Sequence, residues 1–415
     1  MARRSEAEEV RAWVPGMLDS ARWFGGKGRG GRVVDVRLLT TWVDSFEPVR
    51  SWLVEIVYPA DEVEHYQVVV EHTVDGPREP SASGWQHLWT SVAHDLRGTP
   101  RLDEEVPGWA DLPARVLTGE QSNTSLLIGD ALIVKLFRPL ERGQSVESEM
   151  ADLLDGDPMV ARNYATVGID PGDPRFGPVE LLTVAQQFAG AEDGWELALA
   201  RAGANDDFTP EAEALGVALR RVHRTLAERA HTTHTPGTTI AEGMLARLDA
   251  AVVEVPDLAP LAPAIREAFE QLAGRHLVVQ RVHGDFHLGQ TLRVAPGHWR
   301  IIDFAGEPLK SAEERRAPDS PQRDVAGMLR SFCYAGRVGQ TRAAPSGAGS
   351  AWTSACREAF VSGYHSGDDS PTASERAVLR AYELDKAVYD VIYETRNRPS
   401  WVPLALGALT DSVHN

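Results

Sequence analysis

The stretch Arg281-Val-His-Gly-Asp-Phe-His-Leu-Gly-Gln290, followed by Trp299-Arg-Ile-Ile-Asp-Phe304, constrains this chain more than any other feature. Asp285 and Gln290 repeat the Asp-x-x-x-x-Asn spacing by which kinase catalytic loops pair a hydroxyl-orienting carboxylate with a metal-binding amide, glutamine standing for asparagine. Asp303 follows the apolar Ile301-Ile302 and precedes Phe304, the place of the aspartate that holds Mg²⁺ in such loops. A phosphoryl group in transfer spreads charge over its equatorial oxygens, so the chemistry demands hard oxygen ligands for the cation and a carboxylate against the acceptor hydroxyl. Asp285 is therefore the expected base, and Gln290 and Asp303 the expected Mg²⁺ ligands.

Other readings of the same residues stay open. His-Gly-Asp is also a common tight turn with an Asx cap. His283 and His287 flank Asp285, and dense His/Asp clusters bind zinc or iron in hydrolases. Such a site needs further clusters, and His231-x-x-His234 lacks the glutamate and helical spacing of a zincin. His283 reads as a histidine that fixes the loop by hydrogen bonds. A catalytically inactive, kinase-like binding module is a further alternative, although such modules commonly lose one of the residues retained here.

A kinase-like catalytic loop requires a nucleotide lobe upstream, and Thr118 to Phe137 reads as its hairpin. Ser122, Asn123, Thr124 and Ser125 form a small polar tip whose backbone N–H groups suit phosphates. Gly129-Asp130 is the turn, and Leu132-Ile-Val-Lys-Leu-Phe137 the returning strand. Lys135 inside that apolar strand demands an anionic partner, for which the ATP phosphates are the candidate. The helix glutamate expected to pair with it is Glu149, preferred over Glu147 because it precedes the apolar face of Met150, Leu153 and Leu154. Leu181 to Phe188 reads as a strand entering a hinge, with Gln187 toward adenine.

These blocks, with Arg22-Trp-Phe-Gly-Gly-Lys-Gly28, Gly119-Glu-Gln-Ser-Asn-Thr-Ser125, Asp303-Phe-Ala-Gly-Glu-Pro308, Ser320 to Phe332 and Tyr393 to Trp401, resemble the maltokinases of actinobacteria. That family lies within the aminoglycoside-phosphotransferase and choline-kinase superfamily, and the resemblance spans nearly the whole chain. It implies an α+β, bilobal eukaryotic-protein-kinase-like fold with an additional N-terminal cap domain. It also implies ATP- and Mg²⁺-dependent phosphorylation of maltose at its anomeric hydroxyl, for α-glucan synthesis, and a functional link to a trehalose/maltose-interconverting enzyme. Ala305 stands where the family usually carries glutamate, and Cys333 where a polar or acidic residue is commoner, which leaves glucosamine or glucose open as the acceptor.

The sugar site is expected near the C-terminus. Tyr393, Glu394, Arg398 and Trp401 combine aromatic planes with directional polar groups, as a polyhydroxylated ring requires. His287 and Glu307, beside the metal residues, are assigned to the substrate as well. Three blocks are expected: a cap over 1–110, a nucleotide lobe over 111–190 and a mainly helical catalytic and sugar-binding lobe over 191–415.

Composition narrows the partners. The net charge of −18 disfavours nucleic acid and anionic membranes. Two cysteines, Cys333 and Cys356, exclude a disulfide scaffold. With no apolar leader after Arg3-Arg4, a cytoplasmic enzyme with a small-molecule sugar substrate is expected. Gly26-Lys-Gly-Arg-Gly-Gly31 satisfies a dinucleotide fingerprint but follows no strand, so it is read as a basic glycine turn of the cap.

Overall fold

The computed structural model describes residues 5–21, 23–59, 61–117, 123–173, 176–307, 310–342, 348–365 and 371–414. The chain divides into two compact units, residues 1–152 with 161–189, and residues 153–160 with 190–415.

The first unit opens with α1 (Glu6–Ser20), started by a capping box in which the Ser5 hydroxyl accepts from the Glu8 N–H while the Glu8 carboxylate accepts from the Ser5 N–H. An antiparallel sheet follows, in the order β1 (Arg32–Val43), β2 (Val49–Val57), β3 (Val63–Thr73) and β4 (Gly76–Arg78). Side chains alternate across a strand, so Trp52, Val54, Ile56, Val68 and Val70 meet Val10, Val14, Met17 and Leu18 of α1 on one face. Leu53 and Val69 point the other way. They join α2 (Ala82–Asp95), beyond which lie α3 (Pro100–Glu105) and the second sheet, ordered β5 (Ala114–Val116), β6 (Thr124–Ile128), β7 (Leu132–Leu136), β9 (Val179–Gln186), β8 (Asn163–Ile169). Helix α4 (Val146–Leu153) lies between β7 and β8 in sequence. Where the sequence reading separates residues 1–110 from 111–190, the structure gives both one apolar core, in which Leu53, Trp89, Leu126, Val134 and Leu182 all take part.

The second unit is mainly helical: α5 (Gly194–Ala204), α6 (Thr209–Ala230), α7 (Gly237–Glu254), α8 (Ala262–Glu270), α9 (Ala312–Arg316), α10 (Gln322–Arg342), α11 (Ala348–Tyr364), α12 (Ala373–Asn397) and α13 (Val402–His414). Leu215, Leu219, Val222 and Leu226 of α6 are buried at helical spacing. Thr209 is the first helical residue, and Asp207 accepts from its backbone N–H. The short strands are β10 (Glu192–Asp193) paired with β13 (Thr291–Ala295), β13 paired with β14 (His298–Ile301), and β11 (Thr233–Pro236) paired with β12 (His276–Val279). Among the described residues no helix is long and apolar enough to cross a membrane.

Candidate active site

The loop between β12 and β13 carries Asp285, and one hairpin explains how the distant aspartate joins it. Thr291 pairs with Ile301 in the β13–β14 ladder, and the Ile302 N–H continues it to the Gln290 carbonyl at 3.0 Å. Gln290 thus lies beside Ile302, and its amide donates to Oδ2 of the next residue, Asp303, at 3.3 Å. Asp303 adopts φ +61°, a left-handed conformation that costs a non-glycine residue energy and recurs at functional turns. His283 fixes the loop from beneath, its Nε2 2.9 Å from the Ile302 carbonyl oxygen and its Nδ1 3.4 Å from the Asp285 N–H.

Beneath the loop lies Asp324, which is fully buried on α10. Its carboxylate accepts from the backbone N–H groups of His283 at 2.8 Å and Gly284 at 2.9 Å, and meets His223 Nε2 at 2.9 Å. Burial opposes its charge, but these hydrogen bonds and His223 hold its pKa below the ordinary value. His223 is a packed residue, its other nitrogen 2.8 Å from the Tyr364 hydroxyl. Helix α10 reaches the loop because residue 327 is glycine, since a Cβ there would overlap the Phe286 carbonyl oxygen.

Above the loop lies a charge network. Lys386 on α12 donates to Asp285 Oδ1 at 3.0 Å and to Glu307 Oε1 at 3.0 Å, with Asp390 Oδ1 at 3.8 Å. Burial alone would lower the Lys386 pKa, and these carboxylates raise it well above normal. Glu307, assigned from sequence to the substrate, is only 1% exposed and is engaged by Lys386, Arg323 and Lys310. Here it is a buried counter-ion of Lys386. His287 is half-buried, accepts the Gly289 N–H at Nδ1, and sets Nε2 at 3.9 Å from Asp285 Oδ2. Its burial lowers its pKa.

Helix α12 leads from Lys386 to the expected sugar residues. Lys386 Nζ lies 4.4 Å from the centre of the Tyr389 ring, which stacks on Tyr393 at 6.2 Å. Glu394 forms a fork with Arg398 at 2.6 and 2.9 Å, and the guanidinium lies over Tyr393 and Trp401 at 5.7 and 4.8 Å. Burial raises the Glu394 pKa in spite of Arg398. All four residues named from sequence are thus one cluster. Lys386 and Asp324 escaped the sequence reading. The signal for Lys386 was a row of ionisable residues, Asp385, Lys386, Asp390 and Glu394, threaded among apolar Leu384, Ala387, Val388 and Val391 on one helix.

In the first unit Lys135 lies on β7 opposite Ser125 of β6. One ion pair of Lys135, at 2.5 Å, is with Glu147, two residues before the Glu149 preferred from sequence. The side chains of Asn123 and Thr124 turn to Arg138, accepting from its backbone N–H at 2.9 Å and its Nε at 2.8 Å, while Ser125 is buried in the strand. Ser122 lies outside the described residues. Gln187 donates its N–H to the Ala131 carbonyl, just past β9. In the glycine turn of the cap, Arg29 pairs with Glu62 and Glu64, both at 2.6 Å, and lies over Tyr58.

The donor set suits Mg²⁺ better than zinc. Asp303 and the Gln290 side chain lie together, so the carboxylate and, with the amide turned over, its oxygen would offer hard ligands, and Mg²⁺ takes only one or two protein carboxylates beside phosphates and waters. Among the described residues no three His, Cys, Asp or Glu side chains converge as a zinc or iron hydrolase would require.

A loop anchored on a buried aspartate, a hairpin that brings Gln290 to Asp303, and a lysine strand paired to a helix glutamate define a kinase-like fold. No family model matches the chain. Two curated relatives do: the glucosamine kinase of Streptacidiphilus jiangxiensis, 31% identical over 322 residues, covering 70% of this chain and 72% of that one, and that of Mycolicibacterium smegmatis, 30% identical over 332 residues, covering 73% and 82%. The fold matches a glucosamine kinase crystal structure with a TM-score of 0.70 at 22% identity, over 99% of this chain and 100% of that one. A glucosamine kinase solved with glucosamine, ADP and inorganic phosphate gives 0.64 at 22%, over 99% of each. The chain belongs to the glucosamine kinase family and is an ATP-dependent sugar kinase.

Proposed function

We propose that this chain transfers the γ-phosphoryl group of ATP to an amino sugar, glucosamine or a close analogue, in preference to the maltose suggested by the maltokinase resemblance. One observation carries the choice of acceptor: two curated relatives that match over at least 70% of the chain are glucosamine kinases.

In this reading Asp285 accepts the proton of the acceptor hydroxyl. Lys386 occupies Oδ1 of that carboxylate, which fixes its rotamer and leaves Oδ2 for the sugar. Asp324 holds the loop backbone, so the carboxylate needs no reorganisation during transfer. Lys135, oriented by Glu147, binds the nucleotide phosphates, the backbone of Asn123 to Ser125 covers them, and Gln187 meets adenine. Mg²⁺ on Asp303 and Gln290 would neutralise charge on the phosphate oxygens. Tyr393, Glu394, Arg398 and Trp401 receive the ring.

The test is ADP release with Mg²⁺-ATP over glucosamine, glucose and maltose. The expected kcat/KM for glucosamine exceeds that for maltose by roughly a hundredfold or more, the discrimination reached when a buried polar group loses its partner. A better rate with maltose would return the acceptor to the maltokinase reading and leave the kinase class intact.

A further inference from the structure

Arg138, three residues after Lys135, is 2% exposed, and among the described residues it forms no ion pair with an aspartate or glutamate. Its contacts are instead neutral and complete a junction. Nε donates to Thr124 Oγ1 at 2.8 Å, Nη1 to the Gln67 carbonyl at 3.3 Å, and the guanidinium lies 4.7 Å from the centre of the Trp23 ring. Its own backbone N–H holds Asn123 Oδ1 at 2.9 Å and its carbonyl accepts the Gln67 N–H at 2.7 Å. Burial pushes its pKa down to about 10, against a weak opposing pull from Glu79.

An unpaired buried cation is costly, and a long apolar residue would fill the same volume with less penalty. What an apolar residue cannot do is hold Thr124 and the cap strand β3 at once. The ladder puts Ser125 opposite Lys135 and Thr124 opposite Leu136, so whatever sets Thr124 sets the backbone beside the phosphate-binding lysine.

We propose that Arg138 is a positioning residue for nucleotide phosphates: it locks Asn123 and Thr124 to the cap sheet and thereby aims the backbone N–H groups at the start of β6. This rests on the reading that Lys135 and this segment meet the phosphates. It assigns the cap, through Gln67 and Trp23, a part in nucleotide affinity.

The experiment measures ADP and adenosine binding calorimetrically on the full chain, with thermal melts, for Arg138→Met, Thr124→Val and the double variant. The loss of a charge-assisted hydrogen bond predicts ADP weakened roughly tenfold to a hundredfold with adenosine unchanged. The double variant should be little worse than Arg138→Met alone, and Arg138→Lys should recover part of the loss. Equal weakening of ADP and adenosine, or wild-type affinity for both, overturns the proposal. Should Arg138→Met not fold, Thr124→Val, which is nearly isosteric, carries the same test. Lys135→Met separates the two levels. If it too leaves the preference for ADP over adenosine intact, the phosphate reading itself fails. If it abolishes that preference while Arg138→Met does not, only the role of Arg138 falls.

Discussion

Lys386 donates to the Asp285 carboxylate at 3.0 Å across 101 residues of chain, and the same ammonium holds Glu307 at the same distance. The carboxylate expected to meet the sugar hydroxyl is thus oriented by α12, the helix that also carries the residues expected to receive the ring. Orientation of the base and recognition of the acceptor share one rigid element.

Lys386→Met is expected to lower kcat by roughly a hundredfold, within the range a positioned base contributes. It also leaves Glu307 and Asp390 short of a buried partner, at up to about 3–5 kcal/mol of stability. Steady-state kinetics and urea unfolding check the two effects. A variant with unchanged kcat would make the lysine purely structural.

Asp285→Asn should nearly abolish turnover while ADP still binds, because its carboxylate is the proposed base for the acceptor hydroxyl. Asp303→Ala should also weaken Mg²⁺-dependent nucleotide binding, because it removes the proposed charged ligand. Binding measured with and without Mg²⁺ distinguishes them, and identical behaviour of the two variants would contradict the division of roles.

Acid should destabilise the catalytic unit through Glu307 and Asp324. Burial opposes both charges, yet Arg323, Lys386 and Lys310 around Glu307, and His223 with the loop N–H groups around Asp324, hold both pKa values below normal. Depressed folded values mean that this stability is fully present above the unfolded values of about 4.3 and 3.9. It is lost as pH falls below them toward the folded values. Glu307→Gln should therefore be less stable at pH 7 and show a flatter decline in acid. Urea midpoints across that range read the slope, and parallel curves would refute the linkage.

Gly327→Ala sets two effects against each other. Alanine favours a helix interior by about 1 kcal/mol. The new Cβ overlaps the Phe286 carbonyl oxygen, and overpacking against backbone costs about 1–3 kcal/mol and displaces the loop. A net loss of stability together with activity is expected. Gly16→Ala on α1 meets nothing within 4 Å and should stabilise slightly. Melting temperatures of the pair compare the two, and a stabilised Gly327→Ala would show that the loop yields freely.

What could be read directly from the residues was local. The period-two runs and turn residues of β2, β3, β6 and β7, and the apolar stripe of α6, announce themselves because their signals lie within a few residues. The joining of Gln290 to Asp303 was legible for the same reason: one short hairpin lies between them, and its register leaves little choice. Tyr393, Glu394, Arg398 and Trp401 fall on successive turns of one helix and its exit, where spacing alone brings side chains together.

The amino-acid sequence by itself determined the kinase-like class, through the loop, the hairpin and the lysine strand. Tertiary packing decided which charges meet. Glu147 and Glu149 lie two residues apart and so on different faces of α4, and the tertiary structure, not the apolar pattern, sets Glu147 against Lys135. Glu307 reads in sequence as a polar residue beside a metal ligand, and only the convergence of α10 and α12 made it a buried counter-ion. Asp324 and Lys386 reach the loop across 41 and 101 residues. Long-range partners of this kind are fixed by how whole helices pack, and a buried charge takes its meaning from the partner that packing provides.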